Sequence, residues 1–93
     1  MVFECHRRYR IEVKPSAVKA LAAVPNPARL RIARRIDALA DDPRGPGAVK
    51  LAGEDDLYRV RVGDYRIVYQ IQDRVLLVLV LRVGHRRDVY RGL

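Results

Sequence analysis

Six residues in the last third of this chain have the types and spacing for chemistry: Arg59, Arg61, Arg66, His85, Arg86 and Tyr90. Residues 57–62 alternate, with Tyr58, Val60 and Val62 on one side and Arg59 and Arg61 on the other. In a strand, positions two apart project from one face, so both guanidiniums leave the sheet on the side opposite the apolar set. Gly63-Asp64 is a two-residue hairpin turn signal, and Arg66 beyond it alternates against Tyr65 and Ile67, which places it on the same outer face. Arg86 follows Gly84 and can return over that face, with His85 and Tyr90 near its rim. Guanidinium groups fork onto phosphate oxygens, so a phosphate-binding face is one explanation of the cluster. The competing explanation is a solvated polar face balanced by Glu54, Asp55 and Asp56, although like charges across strands repel.

The chain around this cluster is 93 residues long, which predicts one small domain, residues 1–93. About half of it is apolar (49%), enough for a packed core rather than wholesale disorder. Nineteen Lys and Arg, sixteen of them arginine, oppose eleven Asp and Glu for a net charge of +8. A polyanion is therefore the leading partner: nucleic acid, or an acidic protein that masks the same surface. The longest apolar run, residues 75–81, is far short of the ~20 residues of a membrane helix, and no secretory signal is evident. One cysteine suits a reducing cytosol, and Cys5-His6 has too few companions for a metal site, so no metal or cofactor is expected.

The elements that must hold the arginines follow from periodicity. Residues 9–13 alternate as a half-buried strand. After Pro15, Ala17, Val18, Leu21, Ala22 and Val24 fall at helical spacing, predicting a helix to about Ala23. Pro25-Asn26-Pro27 ends it, with Asn26 as N-cap and Pro27 as first residue of a second helix striped by Ala28, Ile32, Ala33, Ile36, Leu39 and Ala40. The short connection makes an antiparallel hairpin. Residues 41–47 (DDPRGPG) read as a loop. Residues 57–62 and 65–71 are strands, and residues 75–83, apolar on both faces except Arg82, form a central strand that Gly84 breaks. The expected fold is α+β: an N-terminal strand and a helical hairpin packed on one face of a largely antiparallel four-stranded sheet, the first strand beside the last.

Two further groups have bland readings. Arg29, Arg31, Arg34 and Arg35 on the second helix form a solvated face or dock non-specifically onto nucleic-acid phosphates. Tyr58, Tyr65 and Tyr69 alternate with the arginines and are expected to pack rather than to stack on bases.

Residues 57–69, Leu-Tyr-Arg-Val-Arg-Val-Gly-Asp-Tyr-Arg-Ile-Val-Tyr, strongly resemble the central signature of the RelE toxins in the RelE/ParE superfamily of toxin–antitoxin systems. Asp42-Pro43 and Lys50-Leu51-Ala52-Gly53 resemble the family's loop, and residues 83–90, Val-Gly-His-Arg-Arg-Asp-Val-Tyr, its C-terminal motif. The resemblance implies a cytoplasmic, metal-independent endoribonuclease that enters the ribosomal A site and cuts mRNA by attack of a 2′-hydroxyl on the adjacent phosphate. It also implies an antitoxin partner in a hetero-oligomer. By position, Arg59 and Arg61 match two basic residues of the family's second strand, Arg66 the arginine after the hairpin, and Arg86 and Tyr90 the tail. The familiar pattern has lysines at 59 and 61, one of them a proposed general base. Arginine does not give up its proton, so His85, a side chain of a type that titrates near ~6.5, is the expected substitute. The alternatives are a ParE-like, non-catalytic inhibitor of DNA gyrase on the same fold, or a plain nucleic-acid-binding module.

Overall fold

The structure is a computed structural model that describes residues 8–51 and 56–85. In chain order it contains β1 (Arg10–Val13), α1 (Pro15–Ala22), α2 (Ala28–Ala38), β2 (Val49–Lys50), β3 (Leu57–Val62), β4 (Tyr65–Gln72), a short 3-10 turn (Asp73–Val75) and β5 (Leu77–His85). The strands form one sheet in the order β1-β5-β4-β3-β2. β1 runs parallel to β5, and every other neighbouring pair is antiparallel. The α+β reading holds, with five strands where the pattern predicts four. The extra one, β2, is too short to leave an alternation; Leu51 N–H bonded to Leu57 O at 2.9 Å anchors its end.

α1 packs on β5 and α2 on β3. Ala17 and Val24 from the first helical segment and Ile32, Ile36 and Leu39 from the second turn onto one face of the sheet. There they meet Val60, Ile67, Tyr69, Ile71, Val78, Val80 and Val83. Ile32 and Leu39 are fully buried, each contributing about 1.5–3 kcal/mol of apolar transfer. Tyr58 and Tyr65 pack against this core and Tyr69 lies within it, as their alternation predicts.

Three boundaries differ from the sequence pattern. Pro27 takes the N-cap position of α2, and no side chain caps the helix. The chain enters α2 through a turn in which Pro25 O accepts from Arg29 N–H at 3.2 Å, so the Asn26 side chain is not called upon. Val75 belongs to the 3-10 turn, because the reversal between β4 and β5 consumes residues 73–76 and sets Leu76 at φ +50°. Gly84 does not break β5: it pairs with Arg66, and His85 pairs with Tyr65. A glycine lacks only the side chain and keeps both ladder groups.

The register of β5 shifts once. Val68 pairs with Arg82 but Tyr69 pairs with Val80, leaving Leu81 as an extra residue. This β-bulge reverses the inside–outside phase of the strand. Val78 and Val80 face the helices, and beyond the bulge Val83 does so too, which turns Arg82 to the outer face.

Candidate phosphate-binding face

β3 and β4 pair in register from Leu57↔Gln70 to Val62↔Tyr65. Gly63 closes the turn at φ +57°, a conformation a glycine reaches without a Cβ penalty. Val60, Ile67 and Tyr69 are claimed by the core, so Arg59, Arg61 and Arg66 leave by the other face, as the alternation predicts. Arg61 lies directly opposite Arg66, and Arg59 directly opposite Val68. On the far side of β4, Val68 faces Arg82 and Arg66 faces Gly84. The outer face therefore carries two rows: Arg59, Val68, Arg82, and Arg61, Arg66, Gly84.

Arg82 is the residue that the sequence pattern missed. Its strand reads as apolar on both faces except at Arg82 itself, which leaves its side unassigned, and the bulge turns it outward. The arginine face is also less open than the alternation implies. Arg66 is only 9% exposed and Val68 fully buried, whereas Arg61 at the sheet margin is exposed. Val68 sits between Arg59 and Arg82, whose methylene stems can cover a valine. Gly84 adds no side chain beside Arg66.

No ion pair or hydrogen bond to Arg59, Arg61 or Arg66 exists among the described residues, where the salt bridges are Arg8–Asp41, Arg10–Glu12 and Arg44–Asp73. Of the acidic trio, Asp56 is described and is not in any of these pairs; Glu54 and Asp55 lie outside the described residues. So do Cys5, His6 and the tail candidates Arg86 and Tyr90.

His85 is placed differently from expectation. Directly opposite Tyr65, it shares the helix-facing side, its imidazole edge-on to the Tyr65 ring at 6.0 Å between centroids. It is exposed at the end of β5, one residue from the row that holds Arg66. The four helix arginines divide. Arg29 reaches Ala22 O at 3.4 Å and lines an apolar groove between α1 and α2. Arg31, Arg34 and Arg35 instead line a second groove together with Arg61.

The opposite end of the sheet holds a different arginine. Arg44 donates from Nη1 and Nη2 to the two Asp73 carboxylate oxygens, at 3.0 and 2.8 Å, and from Nε to Tyr58 Oη at 3.1 Å. Tyr9 Oη donates to Asp73 Oδ1 at 2.6 Å, and Tyr69 Oη to Pro43 O at 2.6 Å. The hydrogen bonds from Arg44 and then Tyr9 pull the Asp73 carboxyl down to about 2. The bond to Asp73 in turn raises the Tyr9 phenol, and burial pushes Tyr69 up to about 12. Among the described residues no three His, Cys, Asp or Glu side chains gather as a metal site would require.

This fold and charge pattern have counterparts. The family described as ParE toxin of type II toxin-antitoxin system, parDE, matches residues 11–90. The chain belongs to the RelE/ParE toxins. A RelE-like toxin protein of Escherichia coli is 32% identical over 87 residues, covering 89% of this chain and 90% of that one. The mRNA interferase toxin RelE of Escherichia coli K12 is 29% identical over 86 residues, covering 88% and 90%. Among solved structures, the archaeal RelE–RelB complex from Pyrococcus horikoshii superposes with a TM-score of 0.77 at 30% identity, covering 88% of this chain and 99% of that one. As a RelE/ParE toxin, the chain is the toxin component of a type II toxin–antitoxin system.

Proposed function

We propose that this toxin is a metal-independent endoribonuclease that cuts mRNA in the ribosomal A site. The observation that carries the reading is Arg61 directly across from Arg66 with no carboxylate on either among the described residues. Such a like-charge pair destabilises a sheet, and a bound phosphate relieves it. The similarity to an mRNA interferase supplies the reaction class.

In that reaction the RNA 2′-hydroxyl loses its proton and its oxygen attacks the adjacent phosphorus. The bond from phosphorus to the 5′-oxygen breaks, leaving a 2′,3′-cyclic phosphate and a 5′-hydroxyl end that takes up a proton. Arg59 and Arg61 hold the phosphate, and Arg66, its stem packed and its position fixed, opposes the charge that builds on the phosphoryl oxygens. Arg86 stands with them and Tyr90 orients the nucleotide, by the family resemblance. His85 exchanges the proton, reaching round the end of β5 from its place beside Tyr65. Neither Arg59 nor Arg61 can do so.

The toxin works in the cytoplasm and is silenced by a cognate antitoxin in a hetero-oligomer, the arrangement in which the Pyrococcus relative was solved. The apolar groove between α1 and α2, of about 700 Å³, leaves Val18 and Leu30 half exposed and is the kind of surface that takes a protein partner.

Primer extension of mRNA from ribosomes exposed to the toxin tests the reading. Wild type is expected to leave cuts in phase with codons, and Arg66→Ala to reduce them about 10²–10³-fold, the usual effect of deleting one transition-state donor. His85→Ala is expected to slow cleavage. Wild-type toxin that stops growth through gyrase-dependent DNA damage, with mRNA ends unchanged, would make it a gyrase inhibitor instead.

A further inference from the structure

α2 carries Arg31, Arg34 and Arg35 at i, i+3 and i+4, so the three share one helix face. That face looks onto the margin of β3. β2 pairs only with Tyr58 and Arg59, which leaves Arg61 and Val62 uncovered by any strand on that side among the described residues. Between helix and strand margin runs a groove of about 370 Å³, lined by Arg31, Arg34, Arg35, Ala38, Arg61 and Val62. Four arginines meet there and no acidic side chain lines it. None of the four takes part in the salt bridges of the described residues. Arg35 is tied back by a 2.9 Å hydrogen bond from Nη2 to Pro46 O, which fixes one wall.

We infer that this groove is a second phosphodiester site, in which Arg31 and Arg34 grip an RNA backbone segment and Arg61 is shared with the sheet face. The inference rests on the proposed nuclease reading and extends it by a binding track, from β4 round the open margin of β3 to α2. It also separates Arg31 and Arg34 from Arg29, which is turned to the apolar groove. Guanidiniums crowded without a counter-charge are held together at a cost, which phosphate oxygens bridging them reverse. An apolar floor of Ala38 and Val62 with cationic walls fits a ribose and base flanked by phosphates.

The experiment measures binding of a fluorescent 2′-O-methyl oligoribonucleotide, which lacks the attacking hydroxyl, across a salt series. It therefore reads the groove whether or not the toxin cuts mRNA on ribosomes. Replacing Arg31 and Arg34 together by Gln is expected to weaken binding at low salt. The slope of log K against log salt should shrink by about 1.4, the increment for two phosphate contacts on a single strand. Arg74→Gln, in the exposed turn at the far end of β4, removes one like charge and is expected to leave the slope within error. Matching thermal unfolding of all proteins establishes that they are folded. Equal loss per charge removed in both variants would mean diffuse attraction and overturn the inference. So would unchanged RNA binding in the double variant accompanied by weaker binding of a polyglutamate peptide, which would give the groove to an acidic protein.

Discussion

The two ends of β4 treat arginine in opposite ways. At the turn into β5, Arg44 has its counter-charge: two bonds to Asp73, one to Tyr58, and its guanidinium carbon 5.4 Å from the Tyr58 ring centre. At the hairpin from β3, Arg61 faces Arg66 and neither has a carboxylate among the described residues. The first end is organised by internal charge pairing, and it ties Pro43 and Arg44 of the loop to β3, β4 and the 3-10 turn. The second is left electrostatically incomplete. The same side chain is a strut where the fold supplies its anion and is left without a counter-charge where it does not. Arginine content alone therefore says little, and the distribution of counter-charges says most.

A charge reversal tests the contrast hardest. Arg61→Glu places a carboxylate directly opposite Arg66, and cleavage is expected to fall at least ~100-fold. The fold is expected to gain up to ~1 kcal/mol as a like pair becomes an opposite one. If unfolding by denaturant shows a loss of stability, the two arginines are not in electrostatic tension.

The complementary change is Arg44→Ala. Its partners are half exposed, so the expected loss is about 1–2 kcal/mol of folding stability rather than the larger value of a buried pair. Cleavage at a folded temperature is expected to persist. Loss of cleavage without loss of stability would mean that the far end also serves the reaction.

The smallest effect is on acid tolerance. The Asp73 carboxyl is lowered from 3.8 to about 2 in the folded protein. Its contribution is therefore complete above about pH 4 and lost as pH falls toward 2. Asp73→Asn is expected to flatten that limb of a plot of melting temperature against pH. An unaltered limb would assign the acid sensitivity to other carboxylates.

What could be read without coordinates followed from local burial. β3 and β4 each have one face in the core, so their alternation located Arg59, Arg61 and Arg66 correctly. The bland reading of Tyr69 was also available from that pattern. The Arg44–Asp73 pair was not, because its members are 29 residues apart in a loop and a turn, where no periodicity operates. Nor was the side taken by His85, since a residue at a strand end shows its face only once its partner, Tyr65, is known. Residues 75–83 misled in phase: a run apolar on both faces except Arg82 marks a buried strand but does not say to which side Arg82 points.

The missing phase is supplied by Leu81. One spare residue halfway along β5 decides which side of the sheet is oily and which electropositive. Were the strand to run past Val80 in regular pairing with Leu81 retained, Leu81 would fall opposite Val68 and Arg82 opposite Ile67. Arg82 would then point into the core, and Val83 would look outward and lose its seat against Ile67. Strand length is thus a coded quantity here. A relative built without the insertion must carry its basic side chain one place away to present the same surface, and aligning such chains by residue count alone would pair an arginine with a core position.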